Sequence, residues 1–274
     1  MIPVGFCLGT FGTRYADIRE AARLLDDLGF DSVWLWDHYV SWNDPREPVL
    51  ECWTTLAGLA EATRRIRLGP LVANNTNRHP GRLAKVAATL QELSGGRLEV
   101  GLGAGGLAFE QEPFGIDQGD SHERFVRLKE ALQIIPALWS GEPVTFAGEF
   151  YRLQGAICAP APQPRPRLIV GALGPGIARL AGRYADGLNL QWRGRANFPE
   201  LLAGLDAGLA AAGRGRAGFD LSVHPMWRDF AADPPGALAE YARLGFTRAI
   251  VYAGAPFPLR EFERIARAVE RPPT

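Results

Sequence analysis

Asp37 and His38 end the aromatic run Trp34-Leu35-Trp36. A carboxylate beside an imidazole joins an acceptor to a general acid–base, because histidine alone has an ordinary side-chain pKa near neutrality. Two readings of the pair stand at this point. It is a reactive group at a strand end, or a surface pair that caps the next segment. Gly101-Leu102-Gly103-Ala104-Gly105-Gly106 satisfies GxGxxG through Gly101, Gly103 and Gly106. A dinucleotide fingerprint, however, must open a helix directly so that pyrophosphate meets free amides. The following stretch, Leu107–Gly119, contains Pro113, Gly115 and Gly119 and is not expected to form that helix. The turn reads instead as backbone that lets a flat ring approach closely, or as a tight turn on a barrel rim. In Gly171-Ala172-Leu173-Gly174-Pro175-Gly176-Ile177 the chain leaves a strand, bends on glycines and enters a helix with Pro175 in its first turn. Proline costs nothing there, and the exposed amides attract an anion. A plain βα loop with a glycine entry remains the alternative.

Other chemistries lack their residues. No GxSxG elbow surrounds any serine, and His38, His79, His122 and His224 show neither HxH nor HExxH spacing, so neither an acyl-transfer hydrolase nor a metal site is expected. His79 before Pro80 reads as a turn residue, His122 as a first-turn surface residue, and His224 as rim or core. Thirty basic residues balance thirty acidic ones, which removes the simplest electrostatic case for nucleic acid or an anionic membrane. Cys7, Cys52 and Cys158 form no CxxC, and neither a signal segment nor an apolar run of ~18 residues is evident. The expectation is a cytoplasmic protein acting on a small molecule.

Positioning these residues requires strands that end where the chemistry begins. Strands are expected at Val4–Gly9, Ser32–Trp36, Ile66–Val72, Arg97–Gly101, Arg167–Gly171, Gly187–Gln191, Leu221–Met226 and Ala249–Tyr252. Helices are expected between them at Ala16–Leu28, Leu50–Arg64, Gly81–Leu93, from the Asp120–Glu123 capping pattern to Leu138, and at Pro175–Tyr184. Val144–Phe146 and Phe150–Leu153 read as a short β-hairpin after the fourth helix. Strands stay in phase across the proline-rich loop Ala159–Pro166, so residues 1–274 are read as one domain. The fold class is α/β, a (β/α)8 TIM barrel with a hairpin insertion, whose ligand site lies at the carboxyl ends of the strands.

Taken together, these segments resemble the luciferase-like monooxygenase superfamily, most closely its branch that uses the deazaflavin coenzyme F-420. The resemblance rests on Leu28-Gly29-Phe30-Asp31-Ser32-Val33-Trp34 before Asp37-His38, on Ile66-Arg67-Leu68-Gly69-Pro70-Leu71-Val72, and on His79-Pro80. It continues through Leu93-Ser94-Gly95-Gly96-Arg97, Trp139 to Phe146 with Gly148 and Tyr151, and Ala181 to Gly187. It implies a homodimeric barrel that holds a flavin-like ring. His38 would handle the proton of a substrate oxygen while hydride moves to or from the deazaflavin, with Asp37 at the ring. Leu71 and Val72 match a bulge, often a non-proline cis peptide, that braces the ring from behind. Asn74 and the Ala104-Gly105 turn match ring contacts, and Leu173, Gly174, Gly176 and Ile177 match a phosphate grip. Members that oxidise a sugar phosphate carry a glutamate where Gly106 stands, which argues against that substrate. Two further readings are an FMN-dependent two-component monooxygenase and a cofactor-free barrel.

Overall fold

The computed structural model describes residues 1–270. In chain order the elements are β1 (Val4–Leu8), α1 (Tyr15–Asp27), β2 (Ser32–Leu35), α2 (Cys52–Ala62), β3 (Arg67–Pro70), β4 (Ala73–Asn74), α3 (Pro80–Leu93), β5 (Glu99–Gly103) and α4 (Ala108–Gln111). Next come α5 (Ser121–Leu138), the hairpin β6 (Val144–Ala147) and β7 (Arg152–Ala156), β8 (Arg167–Gly171), α6 (Pro175–Tyr184), β9 (Gly187–Gln191) and α7 (Phe198–Ala211). β10 (Asp220–His224), α8 (Trp227–Phe230), α9 (Pro234–Arg243), β11 (Arg248–Ala253) and α10 (Leu259–Glu270) complete the order.

Periodicity explains the alternation. In α1, Ile18, Ala21, Ala22 and Leu25 recur at helical spacing and are buried. Gly29 then takes φ +78°, a left-handed stop that suits glycine. All pairings among the barrel strands are parallel, in the order β3-β2-β1-β11-β10-β9-β8-β5-β4, and a parallel bridge from Leu68 to Leu98 closes the ring. The expected barrel and its hairpin insertion are both present.

The barrel interior is layered. At the amino-terminal end of the strands lies an ion network. Arg248 binds Glu99 at 2.6 Å, Asp31 at 3.2 Å and also Asp220, while Arg67 binds Glu99 at 3.0 Å and Asp31. The Arg248 guanidinium lies 5.2 Å from the Trp34 ring, which belongs to the apolar middle layer with Cys7, Leu71, Ile169 and Ile250. Trp36, Val72 and Tyr252 cover that layer on the side where the strands end.

Several boundaries depart from expectation for local reasons. The expected third strand, Ile66–Val72, is split into β3 and β4 around a cis Leu71–Val72 peptide. Val72 thereby enters the barrel through space left by three glycines. A Cβ on Gly101, Gly103 or Gly171 would meet its side chain at 3.1, 2.6 and 3.0 Å. The strand expected at Arg97–Gly101 runs instead from Glu99 to Gly103, because Arg97 is drawn aside to the carbonyls of Ala60, Thr63 and Ile66. The strand expected to reach Met226 ends at His224, since Pro225 has no amide to donate. Finally, the stretch expected to be irregular, Leu107–Gly119, contains the single-turn helix α4.

Candidate active site

The carboxyl ends of β2, β3–β4, β5 and β8 bring the expected residues into two groups. Asp37, His38, Leu71, Val72, Asn74, Ala104 and Gly105 form one, and Leu173, Gly174, Gly176 and Ile177 the other. Val72 joins them, because it packs against Gly171 at the end of β8, just before the second group.

His38 is held by a residue outside the sequence expectation. Its Nδ1 lies 2.7 Å from Oε2 of Glu110, a fully buried carboxylate on α4, and Glu110 Oε1 accepts the Tyr39 amide at 3.1 Å. Because the carboxylate accepts, the imidazole places its proton on Nδ1, which leaves Nε2 as the ring's acceptor. The ring stands in an aromatic wall. Phe11 lies 5.7 Å away and Trp42 5.2 Å, and Trp36 stacks on Tyr252 at 4.2 Å behind them. Trp42 is half exposed at the mouth.

Asp37, expected at the ring, is anchored by protein partners. Its carboxylate is buried and takes both arms of Arg78, at 2.5 and 3.0 Å, together with the Asn74 amide at 3.0 Å. Burial pushes this carboxyl above its ordinary range, against the pull of Arg78. Arg78 also binds Glu51 at 2.6 Å. Asp37 therefore fixes the segment that carries Asn74. Asn74 Oδ1 in turn accepts from the Thr76 amide and hydroxyl. Gly105 has φ +87° and lies so close to Asn74 Oδ1 that a side chain there would collide with it. Ala104 packs at the edge of the core.

At the second group, Gly174 caps α6 without a side-chain bond, so the first-turn amides are free of side-chain partners. Ala172 and Leu173, just before that helix, line a cavity of ≈ 170 Å³ with Gln191, Arg193 and Asn197, and the Arg193 guanidinium donates to Gln191 Oε1 at 2.7 Å. Gly176 faces Phe125, and Ile177 packs on the core. An anion at this helix start would meet backbone donors and the helix dipole. Among the described residues no group of three metal-ligating side chains is present, and no helix is long and apolar enough to cross a membrane.

The remaining histidines lie outside the His38–Glu110 pair. His79 Nδ1 caps α3 by accepting the Gly81 amide at 3.1 Å, and His122 is exposed in the first turn of α5. His224 is buried at the end of β10, where its Nδ1–H donates to the Ile250 carbonyl at 2.6 Å and burial pushes its pKa down to about 4. Sequence reasoning missed Phe11, Trp42, Arg78, Glu110 and Arg193. Only Arg193, in the turn after a predicted strand, and Trp42, four residues past His38, carried a local signal.

Comparison with known proteins places these features in context. The family model for luciferase-like monooxygenases matches residues 4–251. An F-420-dependent glucose-6-phosphate dehydrogenase from Microbacterium testaceum is 37% identical over 218 residues, covering 76% of this chain and 65% of the relative. A 5,10-methylenetetrahydromethanopterin reductase from Archaeoglobus fulgidus is 34% identical over 208 residues, covering 76% of this chain and 58% of the relative. The chain thus spans less than two thirds of the length of either relative. Among solved structures, an F-420-dependent secondary alcohol dehydrogenase in complex with an F-420–acetone adduct superposes with a TM-score of 0.86, 19% identity and 98% coverage of both chains.

Proposed function

This chain belongs to the luciferase-like monooxygenase family, and from that premise we propose that it is an oxidoreductase that moves a hydride between the deazaflavin coenzyme F-420 and a small organic substrate. The observation that carries the reading is the His38–Glu110 pair, set in an aromatic wall at the strand ends beside the Val72 bulge. The names of the relatives found, F-420-dependent dehydrogenases and a reductase, support the same cofactor. We read the protein further as one barrel domain, homodimeric and cytoplasmic, acting on a small molecule.

The residues present fit the cofactor. Val72 offers an apolar brace, with Leu71 behind it in the middle layer of the barrel. Asn74, Ala104 and Gly105 would hold the edge of the ring. Beside them, Asn77 Nδ2 and Gln111 Oε1 are buried without partners among the described residues. Leu173, Gly174, Gly176 and Ile177 would take a phosphodiester. When bound, the deazaflavin supplies a carbon that gives or accepts hydride. His38 Nε2 would give or take the proton of the substrate's oxygen, and Glu110 fixes the tautomer and stabilises the imidazolium that forms. Phe11 and Trp42 exclude water from the reacting face. Arg78, Asp37 and the Asn74 amide keep the ring-facing loop in place.

Glucose 6-phosphate, named for several relatives, is not adopted as the substrate. Gly106 takes φ +126°, a conformation side chains rarely adopt, so the backbone itself is poorly suited to the glutamate associated with sugar-phosphate oxidation.

Fluorescence titration tests the cofactor. F-420 is expected to bind more tightly than FMN, and FMN binding at least as tightly would replace this reading with the two-component monooxygenase. Glu110→Gln tests the pair. Replacing the carboxylate that orients a catalytic histidine costs as much as ~10⁴ in a Ser-His-Asp triad. Turnover here is expected to fall at least ~10²-fold, toward the lower end of that scale, because the amide can still accept one of the two hydrogen bonds. The dissociation constant for F-420 should stay within a few-fold. Unchanged turnover would remove Glu110 from the mechanism.

A further inference from the structure

Phe11 belongs to two places at once. It meets His38 and Trp42, and it lines a second cavity of ≈ 490 Å³ between the loops that follow β1 and β11. That volume lies within the range of clefts that hold small organic ligands. Its walls are apolar at Phe11, Pro256 and Phe257 and acidic at Asp17, Glu20 and Glu47, with no lysine or arginine among the described residues that line it. Arg14, outside the cavity and largely exposed, offsets Asp17 across 3.3 Å. Such an exposed pair is weak, so the cavity keeps a negative field.

Glu47 is the informative residue. Its loop is tied to the β1 loop by the Gly12 amide donating to the Pro48 carbonyl at 2.9 Å and by a bridge between Phe11 and Val49. Gly12, at φ +61°, lies so close to Glu47 that an added Cβ would come within 2.5 Å of Oε1. Glu47 lines the cavity, yet its Oε2 is turned away from solvent and has no hydrogen-bond partner among the described residues, so a turn of the side chain would bring it to a donor. An unpaired buried carboxylate oxygen is costly, and a donor placed in the cavity would relieve that cost.

We propose that this cavity, which shares Phe11 with the wall around His38, is the substrate subsite, and that it takes an apolar body carrying a protonated nitrogen while rejecting phosphate esters. The aromatic faces of Phe11 and Phe257 suit the carbon skeleton and also attract a cation. Glu47 accepts from the N–H, and Asp17 and Glu20 add attraction at longer range. A dianion would meet the same three carboxylates as repulsion. The proposal deepens the function proposed above and rests on His38 as the reacting group.

The test uses three probes of one shape: cyclohexylamine, cyclohexanol and cyclohexyl phosphate. Their binding is followed by tryptophan fluorescence and calorimetry, on the protein as purified and again with F-420 bound. The ammonium is expected to bind at least about tenfold more tightly than the phosphate at low salt, with cyclohexanol between them and the gap narrowing as salt rises. Glu47→Gln should shrink the ammonium-to-phosphate ratio several-fold while leaving cyclohexanol unchanged. Asp17→Asn, on the exposed face of α1, should shrink it less and serves if the first variant does not fold. Phosphate binding as tightly as the ammonium, no probe binding at all, or a ratio untouched by either variant would each overturn the proposal. Failure of F-420 to bind would sink the proposed function instead, and the probe ranking on the purified protein could still be read.

Discussion

Replacing His38 by alanine is expected to lower turnover by ~10²–10⁴, the usual worth of positioned acid–base catalysis. F-420 affinity should stay within a few-fold, because the groups proposed to hold the cofactor lie elsewhere: the Val72 bulge, the Asn74 and Gly105 backbone, and the turn before α6. His38 faces the aromatic wall with a partly exposed ring, 18% by side chain, and among the described residues its side chain bonds only to Glu110. Removing the imidazole leaves the buried Glu110 carboxylate with the Tyr39 amide on Oε1 and no partner on Oε2, so a loss of stability accompanies the change, and turnover is compared on folded protein. Steady-state turnover with a panel of alcohols, imines and activated alkenes, set beside cofactor titration, separates the outcomes. Lost cofactor binding would make His38 a ring contact. Near-normal turnover would mean that the proton travels through another group or through water.

Asp37→Ala is expected to act on stability. Removing one partner of a buried ion pair costs ~3–5 kcal/mol, because the other charge is left without compensation. Arg78 is one tenth exposed and would retain Glu51 at 2.6 Å, so the lower end of that range applies. The Asn74 amide would lose its acceptor as well. Denaturant unfolding should show the loss as a lower midpoint at unchanged slope, since the surface exposed on unfolding stays the same. Asp37→Leu combined with Arg78→Met should be less damaging than Asp37→Ala alone, because it removes both charges. A loss below about 1 kcal/mol for the single change would show the pair to be far better solvated than its burial implies.

The contrast between these two neighbours shows how far residue order reached. Strand and helix alternation, the glycine stop at Gly29 and the Asp120–Glu123 capping box are local, and each stands where periodicity and turn chemistry place it. The cis peptide at Leu71–Val72 and the glycine entry to α6 were also legible, the first through resemblance and the second through local pattern. The partners of the acidic and basic side chains were not. Asp37 meets Arg78 across 41 positions, and His38 meets Glu110 across 72. Those distances collapse only when the barrel closes, and Glu110 sits on a single turn of helix within a stretch whose glycines and proline read as irregular. Composition could place a carboxylate there but not aim it. The interior side of Val72 was hidden for the same reason, because the room for it is made by glycines on two other strands.

The charged layer formed by Arg248, Glu99, Asp31, Asp220 and Arg67 has a consequence for molecular traffic. It plugs the barrel at the end opposite the loops, beneath a packed apolar middle layer, so the barrel is a cup and not a tunnel. Whatever enters at the mouth must leave by the same doorway. Product and the next substrate therefore compete for one path, and selectivity can be redrawn in the rim loops while the plug is left untouched.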